Sequence, residues 1–150
     1  MRTGEPMRYR TVLFDLDGTL IDSIGLIVAS YRHTVRSFGL APPDDAVWLR
    51  GIGTPLAAQL APFAKDDAML EAMITTYRAY NLSHHDASVR AYDGVVDAVR
   101  ALRREGVRLA VVTSKSRSGA LRGLGLVGLD DEFDALVALE DVDRPKPHRE

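Results

Sequence analysis

The chain has 150 residues, enough for one ordinary domain or a small domain carrying an insert. With 46% hydrophobic and 27% charged residues it has the make-up of a globular protein, and a net charge of −2 supplies no broad basic field for nucleic acid or a membrane surface. The absence of cysteine excludes disulfides, thiolate metal sites and a cysteine nucleophile; with no apolar run of membrane-spanning length and no signal-type core near the N-terminus, the expectation is a cytoplasmic protein. Residues 1–6 read as a disordered leader, with Met7 an alternative start.

The first element is a short apolar run, Val12 to Phe14, too short for a helix and read as a buried strand. It ends in two carboxylates, Asp15 and Asp17, two positions apart and so expected to project together, with Gly18 turning the chain away. Two carboxylates in one place repel unless a cation joins them or one is protonated. The pair suits a hard metal such as Mg²⁺, and it suits a division of labour between nucleophile and general acid/base. After Asp22-Ser23 an apolar stripe (Ile24, Ile27, Val28, Tyr31, Val35 and Phe38) predicts a helix that Asp22 or Ser23 caps and Gly39 ends. Asp44-Asp45 opens a short helix through Trp48, which Arg50-Gly51-Ile52-Gly53 breaks. Thr54-Pro55 has the form of an N-cap followed by proline at the first helical position. Asp66-Asp67 opens a further helix with Met69, Leu70, Met73, Ile74 and Tyr77 inward. From Asp22 to Ala91 the sequence contains no convincing strand.

Beyond Asp93-Gly94 the pattern alternates. A helix carries Val95, Val96, Val99 and Leu102 on one face and stops at Gly106. Leu109 to Val112 is a second buried strand ending at Thr113-Ser114-Lys115. A helix runs from about Ser118 to Leu124, loosened by the glycines of 123–128, and Ala135 to Leu139 is a third strand. Strands alternating with helices predict a Rossmann-like parallel α/β sheet, residues 1–21 and 92–150, with residues 22–91 inserted as a helical cap. Such sheets place their sites at the carboxyl ends of the strands. Asp15, Asp17, Thr113, Ser114 and Lys146 all follow strands and converge on one rim. Lys115 reads equally as a solvated loop charge.

Asp15-Leu16-Asp17-Gly18-Thr19 behind an apolar strand, Thr113 after the second strand and Lys146 after the third resemble, in order, the first three motifs of the haloacid dehalogenase superfamily. The resemblance implies a Mg²⁺-dependent phosphohydrolase. Asp15 would be the nucleophile that forms an aspartyl-phosphate, and Asp17 the general acid and then base. Thr113, backbone N–H groups at Ser114 and Lys146 would bind the phosphate, and the metal would sit on the Asp15 carboxylate and the Asp17 backbone carbonyl. Asp17 favours a phosphate ester or anhydride over dehalogenation. Leu20 to Ser23, Arg50 to Leu56, Tyr77 to Asn81, His84-His85-Asp86 and Val112 to Lys115 are together similar to the phosphoglycolate phosphatase-like branch. Within that branch they are most similar to a pyrophosphate-hydrolysing member. Inorganic pyrophosphate is the substrate so implied, with phosphoglycolate or another small phosphate ester the alternative, and a phosphosugar mutase or an inactive truncated form the alternatives of another class.

Specificity is expected in the cap. There Gly51 and Gly53 make a flexible loop that approaches a phosphate, and Arg50 either binds the distal phosphate or is a solvated helix-end charge. His84 and His85, being adjacent on a helix, point apart, so a surface pair or a cap–core contact is favoured over a metal site. Asp22 and residues 86–91 are the expected hinges for cap closure. The superfamily's fourth, acidic motif lies beyond Glu150. The expectation is a fragment of a longer enzyme, with strand 1 left unpaired on one side, one metal carboxylate missing and little activity of its own.

Overall fold

The structure is a computed structural model that describes residues 9–149; the leader reading of residues 1–6 lies outside them. The main sheet is parallel, with strand order β1 (Thr11–Phe14), β4 (Arg108–Val112), β5 (Ala135–Val137). Two-residue strands β2 (Ile21–Asp22) and β3 (Arg90–Ala91) form a separate antiparallel pair. The helices are α1 (Ile24–Ser37), α2 (Asp45–Arg50), α3 (Leu56–Leu60), α4 (Asp67–Ser88), α5 (Val95–Arg104) and α6 (Arg117–Leu126), with 3₁₀ turns at Ala61–Phe63 and Leu139–Asp141. Among the described residues no helix is long and apolar enough to cross a membrane.

Register aligns the strand ends. Phe14 stands opposite Val111 and Val112 opposite Val137, so the residues just after the three strands meet on one rim. Beneath the rim Val12, Phe14, Leu109, Val111 and Leu136 pack with Val99 of α5 and with Ala120 and Leu124 of α6. Successive strand residues face opposite sides, so Leu13 points away from these helices. It is 65% exposed, and β1 lies at the edge of the sheet among the described residues. The strand read as buried is therefore covered on one face only.

The helical insert has its own apolar cluster: Ile27, Val28, Tyr31 and Val35 of α1 against Trp48, Leu60 and Met73. Tyr31 stacks on Trp48 with ring centres 4.5 Å apart and planes within 2°. Asp44 and Asp66 cap α2 and α4, accepting hydrogen bonds from the Ala46 and Met69 amides.

Four local expectations are corrected. The stretch read as strand-free begins and ends in β2 and β3, where Asp22 pairs with Arg90; two-residue strands carry no periodicity to read. Ser23 occupies the N-cap of α1, but its hydroxyl bonds Asp17 instead of capping. Pro55 is itself the N-cap of α3, because the Thr54 hydroxyl turns back to the Gly51 carbonyl. The glycines in α6 do not loosen it. The helix runs to Leu126, and a Cβ at Gly123 would meet Ile21 Cδ1 at 3.0 Å, so that glycine lets α6 pack closely on β2.

Candidate active site

A cavity of about 560 Å³ lies between the rim of the sheet and the insert. On the rim side it is lined by Asp15, Asp17, Thr113, Ser114 and Lys115. Asp15 leaves the end of β1, and its Oδ1 accepts hydrogen bonds from the Leu16 amide at 2.8 Å and from Lys146 Nζ at 3.0 Å. The same ammonium donates to the Val112 carbonyl at 3.1 Å, so one lysine ties the first carboxylate to the end of β4. Lys146 is not itself part of the cavity lining. Gly18 turns the chain with φ +78°, a conformation that favours glycine, and a Cβ there would crowd Ile24 Cδ1 at 3.2 Å. Asp17 Oδ1 accepts from Ser23 Oγ at 2.6 Å and from Lys115 Nζ at 2.8 Å.

Lys115 is the main residue that sequence reasoning left open. Both side chains of the Lys115–Asp17 pair are 16% exposed, which is not the setting of a solvated loop charge. The signal was its place directly after Thr113-Ser114 at a strand end. Thr113 is buried; its amide donates to the Val137 carbonyl, and its Oγ1 accepts from the Lys115 amide at 3.1 Å. That bond turns the chain so that Lys115 reaches back to Asp17. Ser114 Oγ is buried with no partner among the described residues. The loop is braced from β5: the Leu139 amide donates to the Lys115 carbonyl, and Glu140 accepts from the Arg117 amide.

The insert's wall includes Tyr31, Ile52, Gly53, Tyr77, Arg78 and Asn81. Burial, with the negative charge of Asp17 adding to it, raises the Tyr31 hydroxyl above its ordinary pKa, and burial does the same to Tyr77. Of the three cap residues singled out in the sequence, Gly53 lines the cavity, with φ +92° and open space around it. Gly51 does not. Gln59 lies against it, donating to the Gly51 carbonyl at 2.7 Å, and a Cβ at 51 would fall 2.3 Å from Gln59 Oε1. The turn expected to be flexible is thus braced at Gly51 and open at Gly53. Arg50 is exposed at the last position of α2 and off the cavity wall. The guanidinium groups that do line the cavity are those of Arg78 and Arg122. Arg78, Asn81 and His85 follow the three-and-four spacing of one helix face, a signal that was available in the sequence.

His84 and His85 diverge, as their adjacency required. His84 is exposed, stacks on Tyr80 at 4.1 Å and meets the Tyr80 carbonyl through Nδ1. His85 is 2% exposed, lines the cavity and pairs through Nδ1 with Asp86 Oδ1 at 2.8 Å. Arg122 of α6 donates to both oxygens of Asp86, at 2.9 and 2.6 Å, so this is a contact between the insert and the α/β core. The His85 ring and then Arg122 hold the Asp86 carboxyl below its ordinary range. Among the described residues no three His, Cys, Asp or Glu side chains are grouped to hold a metal. Asp15 still offers a carboxylate on the cavity, and Asp17, two residues on, a backbone carbonyl. That donor set fits Mg²⁺, which is held by one or two carboxylates and completes its shell with water and substrate phosphate.

A family model described as haloacid dehalogenase-like hydrolase matches residues 12–150. The chain is similar to the pyrophosphatase PpaX of Halalkalibacterium halodurans, 44% identical over 146 residues, which is 96% of this chain and 66% of that protein. It therefore spans just under two thirds of the length of that relative. A crystal structure of a predicted phosphatase from Clostridium acetobutylicum matches with TM-score 0.76 at 30% identity, over 87% of this chain and 61% of that one. A predicted phosphoglycolate phosphatase from Haemophilus somnus matches with TM-score 0.83 over 93% of this chain and 67% of that one; at 23% identity it speaks for the fold alone. The family match over most of the sequence, on a parallel sheet whose rim carries Asp15, Asp17, Thr113 and Lys146 in the expected order, means that the chain belongs to the haloacid dehalogenase-like hydrolases.

Proposed function

We propose that this chain carries the nucleophile and phosphate-binding residues of a cytoplasmic, Mg²⁺-dependent phosphohydrolase that acts on inorganic pyrophosphate. The observation that supports it most directly is the single ammonium of Lys146, 3.0 Å from Asp15 Oδ1 and 3.1 Å from the Val112 carbonyl. It draws together the two strand ends between which a phosphoryl group would sit. The Asp15 carboxylate attacks phosphorus in line, the bond to the leaving oxygen breaks, and Asp17 gives that oxygen a proton. An aspartyl-phosphate remains on Asp15. Asp17, now a carboxylate, takes a proton from water, whose oxygen attacks the phosphorus and releases orthophosphate and free Asp15.

Thr113 and Ser114 supply hydroxyl and amide donors for the equatorial oxygens, and Lys146 offsets the charge that gathers there. Asp15 and Asp17 are the residues that would hold Mg²⁺. The ion, when bound, supplies charge neutralisation on the transferred group. Residues 22–91 act as a cap that hinges at β2 and β3 and excludes water. The choice of pyrophosphate rests on the similarity to the PpaX pyrophosphatase and on Arg78, a cationic residue on the insert's side of the cavity, opposite the rim, available to a second phosphate.

The test is phosphate release by the full-length encoded protein with Mg²⁺, with pyrophosphate and phosphoglycolate side by side. Preference for pyrophosphate is expected. Preference for phosphoglycolate overturns the substrate, and no release from any phosphate ester or anhydride overturns the hydrolase.

A further inference from the structure

We propose that His85 is a substrate ligand: its Nε2 grips the phosphate that departs, not the one that is attacked. For the substrate class this rests on the phosphohydrolase reading above; for the ring itself it rests on geometry alone. His85 lines the cavity yet is almost wholly buried, and among the described residues its Nε2 has no hydrogen-bond partner. A buried polar nitrogen normally finds a partner inside the fold, and one without a partner, in a side chain that lines a cavity, points to a ligand.

The other half of the ring is fully engaged. Asp86 Oδ1 accepts a hydrogen bond from Nδ1–H at 2.8 Å, and Arg122 clamps Asp86 from α6 through two bonds. A carboxylate behind a histidine fixes its tautomer and plane. Gly123 of α6 faces this edge of the ring, where a Cβ would lie 3.9 Å from Nε2, in ordinary contact.

In the neutral ring with its proton on Nδ1, Nε2 carries a lone pair and repels a phosphoryl oxygen. When a phosphate that still carries a hydrogen enters the cavity, its O–H passes that proton to Nε2, and the new Nε2–H donates back to the oxygen that released it, giving a carboxylate–imidazolium–phosphate line. The charged groups set around this step are Asp86 on the same helix, Arg122 from α6, and the Lys115–Asp17 pair on the rim of the cavity. Nε2 is shut off from bulk solvent, so only a group already inside the cavity reaches it.

The experiment uses full-length protein with ¹⁵N-labelled histidine and methylenediphosphonate, a pyrophosphate mimic that is not hydrolysed, in the presence of Mg²⁺. At saturation the Nε2 resonance of His85 should change from the lone-pair to the N–H type. In kinetics, His85→Asn should lower kcat/KM for pyrophosphate at least about tenfold more than for p-nitrophenyl phosphate, mainly through KM. His85→Gln, whose amide nitrogen reaches the position of Nε2, should recover part of the loss. An unchanged resonance at saturation, an analogue that does not bind, or equal losses on both substrates would overturn the assignment. If wild-type protein hydrolyses neither substrate, the phosphohydrolase reading fails by itself, and the ring resonance still decides the role of His85. Should the variants not fold, the wild-type resonance decides alone.

Discussion

The two walls of the cavity are built on different principles. The rim is charged, and its two carboxylates each meet a lysine: Asp15 with Lys146 and Asp17 with Lys115. Asp15, Asp17 and Lys115 follow the ends of β1 and β4, whose parallel register sets the strand ends side by side, and Lys146 reaches Asp15 from the loop beyond the 3₁₀ turn Leu139–Asp141. The insert's wall is mixed, with Tyr31, Tyr77 and Asn81 beside the aliphatic Ile27, Ile52 and Leu56 and with Arg78 and His85 its charged or titratable members. Its geometry depends on an apolar cluster separate from the one beneath the sheet. The chemistry proposed for this chain would sit on the sheet, whose register fixes the strand ends, and the surface that can be altered without disturbing that register sits on the insert.

The comparison breaks first if a rim substitution fails to stop turnover. Asp15→Asn keeps the volume and loses the nucleophile, and phosphate release should fall by at least about a thousandfold with the circular dichroism unchanged. A loss of less than about tenfold would remove Asp15 from the role. The insert should answer in stability instead. Trp48 is 1% exposed and fills the space between Tyr31 and Phe63, so Trp48→Ala should cost about 3–5 kcal/mol in urea unfolding. Hydrogen exchange should rise in α1 and α4 and stay near wild type in β4. Equal acceleration in β4 would show that the two clusters unfold as one. Lys115→Met comes next. It removes a charge-assisted bond to Asp17, and kcat should fall about 10- to 100-fold with stability little changed. An unchanged kcat would return Lys115 to the solvated charge that it resembles in sequence.

The rim was legible because strands announce themselves as short apolar runs and their carboxyl ends must converge. Asp15, Asp17, Thr113 and Lys146 needed no side-chain geometry to be grouped. The insert was legible only as a set of helices. Stripes such as Ile24 to Phe38 predict that a helix packs, but not which residues of a second helix line a cavity facing a third element. Arg50 looked suitable by its neighbours, Gly51 and Gly53, yet α2 ends with it exposed, while Arg78 reaches the cavity from α4. Two-residue strands lie below any periodic signal, which hid the β2–β3 pair at the two ends of the insert. The Ser23 hydroxyl had two local options, capping α1 or bonding Asp17, and only the tertiary position of Asp17 decides between them.

The smallest predicted effect separates the seam between insert and core from the core itself. Asp86 at the seam and Asp134 in the core are both exposed carboxylates held below the ordinary carboxylate range. At Asp134 the largest cause is Arg103, followed by the Leu109 amide; at Asp86 it is the His85 ring, with Arg122 second. A carboxyl whose folded pKa is depressed stabilises the fold above its unfolded pKa, and that contribution is lost as pH falls through the folded value. Arg103→Gln and Arg122→Gln should therefore each lower the urea midpoint at neutral pH. Each difference from wild type should close as pH falls below the ordinary carboxylate range and through the depressed value. The closure should be the larger for Arg103→Gln, since it removes the leading cause, whereas the His85 ring still holds Asp86 when Arg122 is gone. A larger closure for Arg122→Gln would mean that the guanidinium, not the ring, governs Asp86. The imidazole would then be less firmly oriented than its place on the cavity wall requires.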